Sequence, residues 1–404
     1  MLLSRRHFFF GSLAAPAFAA KKQTGEKPNI VLITVDNLPS WMLGCCGNKE
    51  VRTPHIDQVA ETGLRFSNHF VAAPVPALSR AVLLTGRSPM QLGDVGAAIP
   101  ASEITLAKTL EAAGYTPQAV AATAYDPNPG QGGMAAGILE RLAGKPPFYI
   151  ELQLQQLYPP YDRVPPPYRD MYAQTKFETM LPPDRPSPNA REGKEMLGDL
   201  VGSLRKVAGA ITAVDAEVGL LVNWLRQRQL LEKTLIVFTS TCGSLYGRHG
   251  IWGNGDGSSP PNVYEEVVST PMIWRWPLRV PPQITYPNFI SAYDFLPSIC
   301  NLTGAALPDR NLCGRSYLPM VTGKPFPKKQ PWRNVLFAHY GGVDMVRDSR
   351  YKLAVRNGGK GPNELYDLQL DPREGTNRYD DPGYVTIRPA LEGEIAKWKQ
   401  KYSA

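Results

Sequence analysis

Between Pro76 and Arg87 the chain reads Pro-Ala-Leu-Ser-Arg-Ala-Val-Leu-Leu-Thr-Gly-Arg, which sets two guanidinium groups and two hydroxyls close together. Arg80 can hold an anionic group through its planar fork of donors. Ser79 is the hydroxyl closest to the head of the segment. Pro76, at that head, has no thiol, no hydroxyl and no backbone N–H. Asp36 follows the apolar run Ile30–Val35 with Asn37 beside it, and His249 lies in Gly-Arg-His-Gly. The chemistry such residues suit is the holding of a negatively charged group. Structural roles compete with that reading. Arg80 could bridge to Asp36, because a buried carboxylate left alone is costly. Thr85-Gly86-Arg87 reads as a helix end, and His249 as a loop histidine.

The segment resembles the active-site signature of the type I sulfatases: Cys or Ser, a small residue, Pro, Ser, Arg, two free positions, two apolar residues and Thr-Gly-Arg. Further motifs follow in the family's order. Pro28-Asn29-Ile30-Val31-Leu32-Ile33 with Asp36 is similar to its first strand and first metal ligand. Thr53-Pro54-His55-Ile56-Asp57 through Gly63-Leu64-Arg65-Phe66, Glu265-Glu266 with Thr270–Pro277, and Glu364–Leu368 with Asp371–Glu374 match later segments. The similarity runs from about residue 28 to the C-terminus.

The resemblance implies a formylglycine nucleophile, a divalent cation (usually calcium), and Lys and His side chains that bind the sulfate ester. A transferring sulfuryl group has to be clamped by cations and donors. At the implied positions this chain departs from the family. Pro76 replaces the formylglycine precursor. The metal positions are Asp36, Asn37, Thr241 and Cys242. The Lys and His of the family's "GKWHLG" segment fall on Ala122 and Ala124, a further His on Tyr158, and a late Lys on Asn254. One carboxylate and three neutral groups do not offset the desolvation of a hard divalent cation. No cofactor is therefore expected, calcium entering only if the chain is an active enzyme. Arg80, Thr85 and His249 are left as a candidate anion pocket, with Asp36 a weak metal ligand.

Elements that would position these residues follow from periodicity. Ile30–Val35, Gln118–Ala122, Phe148–Leu154 and Thr234–Ser240 read as strands. Glu103–Ala113 reads as a helix ended by Gly114. From Arg205 to Arg228, Val207, Ile211, Val214, Val218, Leu221 and Leu225 recur at helical spacing. Alternation of strand and helix predicts an α/β fold: a large, mostly parallel sheet sandwiched by helices. Ligands in such sheets sit at the carboxyl ends of the strands, where the segments after Val35 and Phe238 arrive. Pro159–Pro188 is proline-rich and reads as an irregular surface excursion. From about Pro331, short strands at Arg333–Phe337, Val343–Arg347 and Tyr351–Val355 and a helix at Thr386–Tyr402 predict a small C-terminal α+β subdomain. The resemblance gives the whole an alkaline-phosphatase/sulfatase-like architecture, divided at 21–330 and 331–404.

Residues 1–20 are set apart. Ser4-Arg5-Arg6-His7-Phe8-Phe9 resembles a twin-arginine export signal. Phe8–Ala20 is too short to span a bilayer comfortably, and Ala17-Phe18-Ala19-Ala20 offers small residues for cleavage. A retained N-terminal anchor is the competing reading. A periplasmic or secreted protein is expected, with no transmembrane helix after signal removal. The full chain carries +8, or +6 without Arg5 and Arg6. That suits an anionic partner. No basic cluster interleaved with aromatics points to nucleic acid. Five cysteines, two of them adjacent at Cys45-Cys46, show no zinc spacing. Buried thiols are expected, a Cys300–Cys313 bridge being the alternative.

Two functions compete. The first is a sulfatase-family protein without catalysis, binding a sulfated or anionic glycan or pairing with an active sulfatase. The second is a hydrolase, sulfatase or phosphatase-like, with a displaced nucleophile such as Ser79. A structural envelope protein is a third class.

Overall fold

The computed structural model describes residues 27–93, 98–122, 147–181, 187, 189–191, 193–277, 279–326 and 330–403. The expected export signal and Ala124 lie outside them. Seven strands form the large sheet: β1 (Asn29–Val35), β2 (Leu64–Phe70), β3 (Thr116–Ala122), β4 (Phe148–Leu154), β5 (Thr234–Ser240), β6 (Met272–Arg275) and β7 (Ile284–Ser291). Their spatial order is β3-β4-β1-β5-β6-β2-β7. β3, β4, β1 and β5 are mutually parallel, β2 runs parallel to β7, and β6 is antiparallel to both its neighbours. Only β6 is therefore reversed.

The central strands β1 and β5 are buried along their whole length, as continuous apolar runs covered on two faces require. The edges differ. β3 is half-exposed and carries Pro117, which an edge strand tolerates. Alternate residues of β1 divide between two cores. Val31, Ile33 and Val35 pack with the long helix Leu200–Gln227, while Ile30 and Leu32 pack with the helices Pro76–Thr85 and Phe295–Thr303. This is the sandwich that periodicity predicts.

The long helix starts earlier than its clearest apolar stripe, because the Asp199 side chain caps it by accepting from Gly202 N at 3.0 Å and Leu204 extends the buried face. Leu200–Gln227 is long and apolar enough by composition to cross a membrane, yet most of its apolar stretch is buried inside the protein. The segment expected as a surface excursion is corrected: Tyr161, Val164, Tyr172, Phe177 and Met180 are buried in the core beside the long helix. Its prolines punctuate short turns, but five apolar side chains give it enough area to dock.

β8 (Leu336–Tyr340), β9 (Val343–Arg347), β10 (Tyr351–Arg356) and β11 (Glu364–Asp367) form a separate antiparallel sheet in the order β11-β10-β9-β8. The helix Ile387–Tyr402 covers it through Leu391, Ile395 and Trp398. Ala338, Met345 and Ala354 of this sheet also pack against Phe70, Cys242 and Val268 of the larger unit.

Candidate functional site

Four strand ends meet at one place. Asp36 N donates to Leu154 O at 3.0 Å, Thr241 N to Val35 O at 3.0 Å, and Gln155 N to Ala122 O at 2.8 Å, so the carboxyl ends of β1, β3, β4 and β5 are tied together. Side chains from these ends converge on Asp36, which is fully buried. Its Oδ1 accepts from Thr241 Oγ1 at 2.6 Å. Its Oδ2 accepts from Gln155 Nε2 at 3.2 Å and from Tyr158 Oη at 3.4 Å. Asn37, in left-handed backbone at φ 61°, forms the second half. Its Oδ1 accepts from Asn254 Nδ2 at 2.9 Å and lies 3.5 Å from Cys242 Sγ, and its carbonyl accepts from Tyr246 Oη at 2.8 Å.

Burial raises the Asp36 carboxyl above its ordinary value, against the donors from Thr241, Gln155, Gln153 and Tyr158. Desolvation of its hydroxyl, on a side chain 42% exposed overall, raises the Tyr158 phenol, and burial raises the Cys242 thiol well above its ordinary value, with the Asp36 charge adding to each. The site thus holds at most one negative charge, and its oxygens are engaged by neutral donors.

Asp36, Asn37, Thr241, Cys242, Tyr158 and Asn254, expected from separate segments, are in this network, and Ala122 closes β3 at its rim. Pro76 is the first residue of the Pro76–Thr85 helix, where a missing N–H is no loss. Gly86 ends that helix in left-handed backbone at φ 67°. Ser79 is 1% exposed, and its Oγ has no hydrogen-bond partner among the described residues.

Arg80 does not bridge to Asp36. Its Nε and Nη2 donate to the two oxygens of Glu151 at 2.6 and 2.9 Å. Glu151 lies on the β4 face that turns toward the Pro76–Thr85 helix, and it needs a cation there more than the hydrogen-bonded Asp36 does. The grouping of Arg80, Thr85 and His249 as one anion pocket is likewise corrected, since each is engaged separately. Thr85 Oγ1 donates to Ala81 O at 2.7 Å inside its helix. His249 stacks on Tyr264 with ring centres 3.7 Å apart, and its Nε2 lies 3.5 Å from Glu266 Oε2. Burial opposes charge on Glu266, yet His249 and Arg248 hold its carboxyl down to about 2.

Sequence reasoning missed Glu151 and Gln155. An acid inside the buried strand Phe148–Leu154 demands a cationic partner, which was signal enough for Glu151. Gln155 directly follows that strand at the carboxyl edge. Among the described residues, the metal-type donors of His249, Glu266 and Glu374 lie within 4.8 Å of one another. Arg248 at 3.1 Å from Glu266 and Lys352 at 2.7 Å from Glu374 already supply that cluster with positive charge. No Cys300–Cys313 bridge forms: all five cysteines are free, and Cys313 Sγ accepts from Trp398 Nε1 at 3.3 Å.

A polar chain leads outward from the network. Asn254 Oδ1 accepts from Asp256 N at 3.1 Å, and the Asp256 carboxylate accepts from Tyr340 Oη at 2.9 and 3.0 Å. Tyr340 and His339 line a cavity of about 350 Å³, faced on its other side by Leu78, Pro89 and Met90. His339 Nδ1 is 2.6 Å from Asp344 Oδ1, which leaves Nε2 for a ligand, and Lys399 pairs with the other Asp344 oxygen.

The chain belongs to the sulfatase family: the Sulfatase family profile matches residues 28–177 and 133–305. The profile of N-sulphoglucosamine sulphohydrolase, C-terminal, matches residues 261–401. The chain is 28% identical to arylsulfatase A of Homo sapiens over 451 aligned positions, covering 89% of this chain and 85% of that protein. It is 25% identical to an ulvan-active sulfatase of Formosa agariphila, covering 92% and 80%. In fold it is similar to a protein solved in complex with its substrate D-glucosamine-2-N,6-O-disulfate, at TM-score 0.80, 19% identity and 93% and 98% coverage. It is also similar to a phosphonate monoester hydrolase of Agrobacterium radiobacter, at TM-score 0.75, 20% identity and 93% and 96% coverage.

Proposed function

We propose that this sulfatase-family chain has lost sulfuryl-transfer chemistry and binds a sulfated or otherwise anionic glycan. The observation that carries the first half is the state of the strand-end centre. Both Asp36 oxygens and the Asn37 amide oxygen are occupied by donors from Thr241, Gln155, Tyr158 and Asn254. One carboxylate, an amide, a hydroxyl and a thiol do not fit a hard divalent cation, which takes six to eight oxygens. Pro76 offers no nucleophile, and loss of a nucleophile alone costs on the order of 10⁴–10⁶-fold in a cooperative site.

The second half rests on charge and shape. The chain is net basic, and the cavity at His339 and Tyr340 joins apolar walls to directional polar groups, the mix that suits a sugar ring. A hydrogen-bonded chain through Asp256 and Asn254 links Tyr340 of this cavity to Asn37 of the strand-end network. Arg80 contributes little to anion binding in this reading, because Glu151 already matches its charge. The relatives named as sulfatases of glycans and the export signal expected at Ser4–Phe9 agree with a glycan ligand met outside the cytoplasm.

The decisive assay is aryl-sulfate turnover by the purified chain with and without calcium, beside binding to sulfated and desulfated glycans. No turnover and sulfate-dependent binding are expected. A calcium-dependent rate abolished by a chelator overturns the reading. The alternative, Ser79 as displaced nucleophile, has a burial of 99% against it, and a shift of three helical residues moves a side chain about 4.5 Å along the axis and about 60° around it. Any rate that survives Ser79→Ala rejects that alternative.

A further inference from the structure

The loop after Asp36 carries two neighbouring thiols. Cys45 and Cys46 sit on a single tight turn, Gly44–Cys46, and their sulfurs are 4.0 Å apart. The turn is pinned from two sides. Cys45 N donates to Asp57 Oδ1 at 2.6 Å, and Gly44 N donates to Thr53 Oγ1 at 2.9 Å. Both cysteines are half-buried, whereas Cys242, Cys300 and Cys313 are buried singly. A cavity of about 350 Å³ opens beside the turn, lined by Cys45, Asp57, Glu61 and Arg65.

The spacing is that of a chelate. Two metal–sulfur bonds of about 2.3 Å spanning 4.0 Å enclose an angle of about 120°, within the range of trigonal or distorted tetrahedral coordination. Two thiolates balance a divalent ion, Asp57 offsets Arg65, and Glu61 leaves the cavity with one further negative charge, which favours a cation. The hydrogen bond between the two sulfurs holds the Cys46 thiol below its ordinary value and the Cys45 thiol above it, with burial raising both and Arg65 lowering both.

We propose that Cys45 and Cys46 form a two-thiolate site for a soft divalent cation of the cadmium or zinc class, with water from the adjoining cavity completing its shell. Binding exchanges two S–H bonds for two metal–sulfur bonds and releases two protons to solvent, with no change of oxidation state. The site is independent of the glycan reading.

The test uses the reduced full chain titrated with Cd(II). One Cd(II) per chain, a near-ultraviolet thiolate-to-metal charge-transfer band and release of two protons are expected. Cys45→Ser and Cys46→Ser each abolish the band, while Cys242→Ser and His249→Asn retain it. Cd(II) also protects the pair in the unmodified protein from iodoacetamide, read by mass spectrometry of the peptide that carries both cysteines. Absence of the band at one equivalent, alkylation of the pair unaffected by Cd(II), or the same band in the Cys45→Ser/Cys46→Ser double variant overturns the site.

Discussion

At the carboxyl ends of β1 and β5 a single carboxylate is wrapped in neutral donors, whereas at the joint between the two sheets charges of both signs interlock. There Lys352, only 1% exposed, pairs with Glu374 at 2.7 Å and Glu265 at 3.3 Å, and Arg347 reaches Glu265 at 3.2 Å. Glu374 also accepts from Glu265 N at 2.6 Å. The difference is instructive because both places are buried. Paired ionic groups sit where the small sheet meets the larger unit, whereas the strand-end centre holds one carboxylate among neutral side chains. Architecture and catalysis have separate electrostatic requirements in this fold.

The largest effect should come from unpairing the joint. Lys352→Met leaves Glu374 without its cation while Glu265 keeps Arg347, and removing one partner of a buried pair costs roughly 3–5 kcal/mol. The double variant Lys352→Met/Glu374→Gln should recover most of that loss in urea unfolding. A single variant as stable as the parent would break the comparison.

Asp215 sharpens it from the other side, as a buried carboxylate with donors but no paired cation among the described residues. It accepts from Ile56 N at 2.7 Å and His55 N at 3.2 Å, at the start of the Pro54–Glu61 helix, and burial pushes it up to about 7. An acid whose folded-state value exceeds its ordinary one binds its proton more tightly when folded. Its contribution to stability is therefore full below about pH 4, declines as pH rises to about 7 and is flat beyond. The decline is on the order of 2–4 kcal/mol. Asp215→Asn should flatten that part of the pH–stability profile, and an unaltered slope would show that Asp215 is ordinarily charged. Next in size is Arg80→Met, which leaves Glu151 without its cation. Arg80 is partly exposed, so a loss of about 2 kcal/mol is expected, restored in large part by adding Glu151→Gln.

Much of this was legible in the residues. Phe148–Leu154 and Thr234–Ser240 coincide with the observed strands because uninterrupted apolar runs of that length bury both faces. The site's membership was legible too, through segments that end at one sheet edge. Pairing was not. Arg80 could have reached Asp36 or Glu151, and only the β4 register, which puts Glu151 opposite Leu32 and on the helix-facing side, decides it. The burial of Tyr172 and Phe177 was hidden for a similar reason: proline content reports turns, while docking depends on where a distant helix lies.

The smallest effect is expected at the residue that opened the question. Pro76 occupies the first position of its helix, after Val75 in extended backbone, where no intrahelical bond needs its nitrogen. Pro76→Cys removes a ring that restricts the unfolded chain, for a loss within about 1 kcal/mol. It puts a thiol at the position that the family resemblance gives to the nucleophile and leaves the donors Asp36, Asn37, Thr241 and Cys242 unchanged. Aryl-sulfate turnover should stay at background even when the cysteine is converted, as mass spectrometry can verify. Turnover by that single variant would show that the neutral network opens to admit a cation, and the contrast between the two buried regions would fail at its centre.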